Sequence, residues 1–170
     1  RQDLKIEVLR GNINTRLKKL DDGNYDAIIL AASGMKRMGF GERIRQEIPA
    51  EQSLPAIGQG ALGIECRSGD ERINALIAPL NDPDTATRVR CERALNHELK
   101  GGCQVHIAGY AELADGQVRL RALVGEPDGS QVIRAEGRAP AAESEALGVK
   151  IARELLANGA EPILAALYDN

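Results

Sequence analysis

Three strand-like runs, Val105 to Ala114, Gln117 to Val124 and Gln131 to Arg138, are joined by Asp115-Gly116 and by the longer turn Glu126-Pro127-Asp128-Gly129. An Asp-Gly pair between alternating runs is a strong short-range hairpin signal, because both central residues of the favoured turn need a positive φ. The three runs should therefore form an antiparallel meander. In the middle run Val118, Leu120, Ala122 and Val124 alternate with Arg119, Arg121 and Leu123, which makes one face apolar and in need of a cover. Helices are expected to supply it. Leu147, Ile151 and Leu155 recur at helical spacing before the stop Gly159, and Pro162 opens a second stretch with Ile163, Ala166 and Leu167. Ahead of the meander, Thr85 is placed to cap a helix carrying Ala86, Val89, Ala94, Leu95 and Leu99, which Gly101-Gly102 would stop. Residues 84–170 thus read as a small α+β domain, a three-stranded antiparallel sheet covered by helices, with 79–83 as the linker before it.

The first part of the chain has a different rhythm. Leu4, Ile6 and Val8 alternate with Lys5 and Glu7, Ile13, Leu17 and Leu20 follow at helical spacing, and Ala27 to Ala32 is a short apolar run of the kind that forms a strand covered on both faces. This is a β-α-β pattern, so the fold class is α/β followed by α+β. Ser33-Gly34 can start a short helix with Met35 and Met38, Ala61 to Ile64 reads as a further strand, and Asp70 caps a helix bearing Ile73, Leu76 and Ile77 that Pro79 ends. Two parallel strands cannot complete a buried sheet, so residues 1–60 are expected to be part of a larger α/β domain. The start at Arg1 fits a fragment whose natural N-terminus lies upstream.

With 22 basic and 25 acidic residues the formal charge is −3, and aromatics are 2% of the chain. That combination argues against nucleic-acid binding, by charge or by base stacking. The apolar runs are far shorter than the ~20 residues of a membrane span. Cys66, Cys91 and Cys103 are odd in number and lack metal-ligand spacing, which favours a reducing, cytoplasmic setting with neither a disulfide framework nor a metal. Arginine outnumbers lysine 16 to 6, and guanidinium groups hold carboxylates or phosphates bidentately, so the bias points to an anionic small ligand or else to an ordinary solvated surface.

Several residues could carry chemistry. Cys103 follows two glycines at a helix end, where the backbone is open to a bulky adduct, although a lone thiol at a helix C-terminus is more often inert. His97 and His106 flank it without a fixed geometry. Arg10, Arg16, Lys36 and Arg37 fall at one edge of the β-α-β unit, where they form either a carboxylate pocket or scattered surface charge. Gly58-Gln59-Gly60-Ala61 lacks the Gly-Lys-Ser/Thr ending of a phosphate loop, and His97-Glu98 lacks the second histidine of a zinc protease.

Leu99-Lys100-Gly101-Gly102-Cys103-Gln104-Val105 closely resembles the cofactor-attachment loop of the porphobilinogen deaminase (hydroxymethylbilane synthase) family. Leu9-Arg10-Gly11-Asn12 with Thr15-Arg16-Leu17, Tyr25 to Ala31, Lys36-Arg37, Leu54 to Ala61 and Arg119 to Asp128 agree with the same family in order and spacing. The resemblance covers essentially the whole chain and corresponds to the family's C-terminal portion. It implies that 1–60 is part of a second, binding-protein-like domain, that 61–78 returns to the first, and that 84–170 is the third.

The resemblance further implies a transferase of tetrapyrrole (haem) biosynthesis, which deaminates and polymerises four porphobilinogen molecules into hydroxymethylbilane on a dipyrromethane primer. Cys103 would hold that cofactor through a thioether, since a soft thiolate traps the electrophilic carbon left when porphobilinogen loses ammonia. Arg10, Arg16 and Arg37 would bind the pyrrole carboxylates, and Gln59 would share their cleft. The family's catalytic aspartate matches no residue here, so no catalytic residue is assigned and the chain alone is expected to be inactive. The family is taken as monomeric, whereas this fragment could self-associate through its exposed first unit. His106 stands where the family usually has proline, and only a modest effect is expected. The competing reading is a non-catalytic anion-binding module, which would need the arginines but not Cys103.

Overall fold

The structure, a computed structural model, describes residues 3–102 and 105–168. It is a mixed α/β chain with two compact units, 1–47 and 48–170.

In the first unit Asn12 caps helix α1 (Ile13–Asp21) by accepting from Thr15 N at 2.9 Å, and Asp22 and Gly23 end it. Helix α2 (Ala32–Arg37) follows, and Gly34 lies so close to Ile13 that a Cβ there would stand 3.4 Å from its Cδ1. Leu17 of α1 and Met35 of α2 are the buried apolar side chains of this unit among the described residues. Arg43 ties back to Asp21 at 2.6 Å, and Lys36 pairs with Glu47 at 2.5 Å.

Both helices were expected, but the strands were not formed. Leu4 to Val8 and Ala27 to Leu30 lie outside regular structure, and Ile6 and Ile29 are 87% and 80% exposed. The physical reason is pairing: a strand exists only through hydrogen bonds to a neighbour, and no described segment of 3–47 offers one. The Val8 carbonyl accepts instead from the Tyr25 hydroxyl at 2.9 Å. Ala61 to Ile64 likewise forms no strand, with Leu62 72% exposed.

The second unit holds α3 (Glu71–Ile77), capped by Asp70 as expected, then α4 (Pro83–Glu98). The cap of α4 is Asp82, which accepts from Thr85 N at 2.7 Å, rather than Thr85 itself. Pro83 occupies the first helical position, where its missing N–H costs nothing, so the helix begins three residues earlier than the apolar pattern implied. The meander forms as β1 (Ile107–Ala114), β2 (Gln117–Gly125) and β3 (Val132–Pro140), antiparallel in the order β1-β2-β3. Asp115 and Gly116 both take positive φ, 51° and 71°, in the tight turn.

Helices α5 (Ser144–Leu155) and α6 (Glu161–Tyr168) follow, separated by a kink at Gly159, where φ is 103°. Leu95 of α4 and Leu99 at its C-cap, Val118, Leu120, Ala122 and Val124 of β2, Ile151 and Leu155 of α5 and Ile163 of α6 make one core. Burying each such side chain stabilises by roughly 1.5–3 kcal/mol. Gly148 permits the closest approach of α4 and α5, since a Cβ there would stand 2.3 Å from the Cys91 carbonyl oxygen.

Candidate functional site

Arg10 and Arg16 stand at the entry to α1, and Arg37 lies on α2. Gly11, at φ 126°, turns the chain into the helix, and a Cβ there would collide with Thr15 at 2.8 Å. Arg16, half-buried, folds back so that its Nε donates to the Gly11 carbonyl at 2.7 Å, which leaves its terminal nitrogens with no partner among the described residues. The Arg10 carbonyl accepts from Lys19 Nζ at 3.1 Å, and the exposed Arg10 side chain projects from the same turn. Arg37 closes α2, one turn beyond the Gly34–Ile13 contact, as Arg16 stands one turn beyond it on α1. Among the described residues no carboxylate pairs with Arg10, Arg16 or Arg37. Lys36 beside them is neutralised by Glu47.

Gln59 belongs to the second unit. The segment before it straps the free edge of β1: Gly109 N donates to the Pro55 carbonyl at 3.1 Å, and Ala56 bridges Ala108. At Gly109 a Cβ would stand 2.6 Å from Ile57 and 3.0 Å from Leu95, so glycine is required for the strap to lie flat. Further back, Glu51 pairs with Arg121 at 3.1 Å; that guanidinium also holds Glu112 at 2.9 Å and lies 5.7 Å from the Tyr110 ring centre. Gly58 and Gly60 both take positive φ, and Gly58 N donates to Glu92 Oε2 at 2.7 Å. Gln59 is thereby presented to solvent.

The loop expected to carry the cofactor leaves the end of α4. Lys100 adopts φ 53°, Gly101 N donates to the Asn96 carbonyl at 2.8 Å, and the Asn96 amide returns a bond to the Gly101 carbonyl at 3.3 Å. A side chain at Gly101 is impossible without rearrangement, because its Cβ would stand 2.1 Å from Asn96 Oδ1. Cys103 and Gln104 lie outside the described residues. On their far side Val105 N donates to the Gly102 carbonyl at 3.2 Å, and β1 starts at Ile107. The described flanks of Cys103 and the Gln59 strap therefore meet the same two elements, α4 and the start of β1.

His97 and His106 are both exposed. The His106 carbonyl accepts from Gly125 N at 3.2 Å, whereas its own N–H makes no bond among the described residues, so a proline there would forfeit none.

The residue that the sequence reading missed is Glu92. It is buried on the inner stripe of α4, and burial pushes its carboxyl above the usual range, partly offset by the Ala111 and Gly58 N–H groups and by Arg88. The signal was present in the spacing: Glu92 falls three residues before Leu95 and seven before Leu99, on the face that packs into the core. Neighbouring Cys91 is pushed up to about 12 by burial and by the Glu92 charge, so it is no nucleophile.

Residues 1–75 match the family model described as porphobilinogen deaminase, dipyromethane cofactor binding domain, and residues 86–157 match that of the porphobilinogen deaminase C-terminal domain. Arg10, Arg16, Arg37 and Gln59 fall within the first match, and Cys103 within the second. The dipyrromethane cofactor is thus the group that the matched domain binds. Two successive domains of a single family, in order and together spanning most of the 170 residues, establish that the chain belongs to the porphobilinogen deaminase family.

Proposed function

We propose that the chain serves hydroxymethylbilane synthesis by carrying the covalent anchor, Cys103, and the carboxylate-binding side of the site, Arg10, Arg16, Arg37 and Gln59. The observation that supports this reading is that Arg10 and Arg16 at the entry to α1 and Arg37 at the end of α2 have no carboxylate partner among the described residues, while Lys36 and Arg43 of the same unit are paired. Such a donor set fits a dipyrromethane, whose acetate and propionate groups are the anions that it lacks. When bound, that cofactor supplies a free pyrrole carbon from which further porphobilinogen units are added. The chain's own residues bind and orient. Arg16, pinned through Nε, keeps its terminal nitrogens for a carboxylate, and Arg10 and Arg37 add positive charge. The two glycines before Cys103 carry no side chains of their own.

In this reading 1–60 is part of a second, binding-protein-like domain, 61–78 returns to the first, 79–83 links, and 84–170 is the third domain. The exposed Leu4, Ile6, Val8 and Ile29 support it as surfaces suited to packing within a larger sheet. No residue here is assigned the catalytic acid–base role, so the 170 residues alone are expected to make no sustained product. The setting is cytoplasmic; among the described residues no helix is long and apolar enough to cross a membrane.

Incubation with porphobilinogen followed by denaturation tests the assignment. Covalent pyrrole should appear on the parent chain, disappear in Cys103→Ser, and fall at least tenfold in initial rate in Arg16→Lys, because lysine cannot replace a bidentate contact. Undiminished binding in Cys103→Ser, with no covalent pyrrole on either protein, would favour the anion-binding module instead.

A further inference from the structure

Glu92 is the one buried charged side chain among the described residues, 6% exposed, and nothing in the pyrrole chemistry above uses it. A carboxylate in a core is costly unless both oxygens find donors. Here each oxygen has one: Oε1 accepts from Ala111 N at 2.8 Å and Oε2 from Gly58 N at 2.7 Å. The two donors belong to different parts of the site. Ala111 lies on β1, whose outer edge no strand covers, so its N–H needs a partner from elsewhere. Gly58 opens the loop that presents Gln59. That loop is two left-handed glycines with two turn bonds, Gln59 N to the Ala56 carbonyl at 3.0 Å and Ala61 N to the Gly58 carbonyl at 3.1 Å, and among the described residues only the Gly58 N–H ties it to α4. The carboxylate therefore joins this short loop to the strand that leads away from the Cys103 loop, and does so from the helix that leads into it.

We propose that Glu92 is a positioning residue: its carboxylate, shared between Gly58 N and Ala111 N, latches the Gly58-Gln59-Gly60 loop to β1 and so sets where Gln59 stands relative to the attachment loop. The latch is a property of this unit alone, and only its consequence for pyrrole loading rests on the function proposed above. Glutamine at 92 has the right shape but one acceptor oxygen, so its amide would face one of the two N–H groups donor to donor. Aspartate keeps the charge but is too short to reach both donors.

Residue-resolved amide exchange on the whole chain, as parent, Glu92→Gln and Glu92→Asp, decides the latch. We expect amides 57–61 to exchange at least tenfold faster in both variants while Leu120 and Ala122, in the middle of β2, keep their protection. Equal acceleration across the sheet, or unchanged exchange at 57–61, would show that Glu92 only caps the β1 edge and would overturn the proposal. Covalent porphobilinogen incorporation decides the consequence: Gln59→Ala should add no further loss to Glu92→Gln, whereas multiplicative losses would contradict action through Gln59. Local loosening at 57–61 with no incorporation even in the parent chain would leave the latch standing and remove the proposed function instead.

Discussion

The thiols of the chain illustrate how much a single residue's surroundings decide. Cys91 is fully buried between α4 and α5 and is pushed up to about 12, whereas Cys66 is exposed with its Sγ 3.1 Å from Asn74 Oδ1. Native-state alkylation should therefore label Cys66 within minutes and reach Cys91 only after denaturation; early labelling of Cys91 would contradict the packing of α4 on α5. Asp82 behaves differently. The hydroxyl and N–H of Thr85 hold its carboxyl below the ordinary value of 3.8, so its stabilising effect is present above that value and is lost as pH falls through the depressed one. Asp82→Ala should lower the melting temperature at neutral pH, and the gap from the parent should close on acidification. A gap that widened in acid would reverse the sign argued here. Arg16 was legible from sequence as a ligand-binding candidate, but its pin on the Gly11 carbonyl was not, because that bond depends on the left-handed turn of Gly11.

At the scale of elements, side-chain periodicity was reliable where a segment pairs with its neighbours in sequence. The β1-β2-β3 meander and the helices α4, α5 and α6 all appear close to where alternation and helical spacing placed them, since their partners are local. Leu4 to Val8 and Ala27 to Ala32 show the opposite case, as their alternation and apolar run are real but no described neighbour hydrogen-bonds to them. A pattern records which face seeks cover, and the strand itself needs a partner. The Gln59 strap escaped prediction for a related reason: it holds β1 through the Pro55 carbonyl and Glu92, contacts between segments far apart in the chain. The α4–α5 crossing offers a quantitative check. Gly148→Ala forces a methyl group against the Cys91 carbonyl and the Ala94 Cβ, and overpacking of that kind costs about 1–3 kcal/mol. Urea denaturation monitored by far-ultraviolet circular dichroism should show the loss, and a stability equal to the parent's would mean that the helices stand further apart.

Over the whole molecule, the residues proposed for the pyrrole chemistry fall in both compact units. The first bears Arg10, Arg16 and Arg37 on a scaffold whose described core is little more than Leu17 and Met35, and the second holds the described flanks of Cys103 on a well-filled α+β body. The central claim is that Cys103 is the point of covalent attachment for the dipyrromethane which the family's cofactor-binding domain holds. The most direct measurement is the denatured intact mass of the chain as isolated, set beside Cys103→Ser. The account predicts an increment of two linked pyrroles on the parent and none on the variant, with Cys66 and Cys91 still free to alkylate. An unmodified parent with all three thiols free, or an increment that survives in Cys103→Ser, would contradict it.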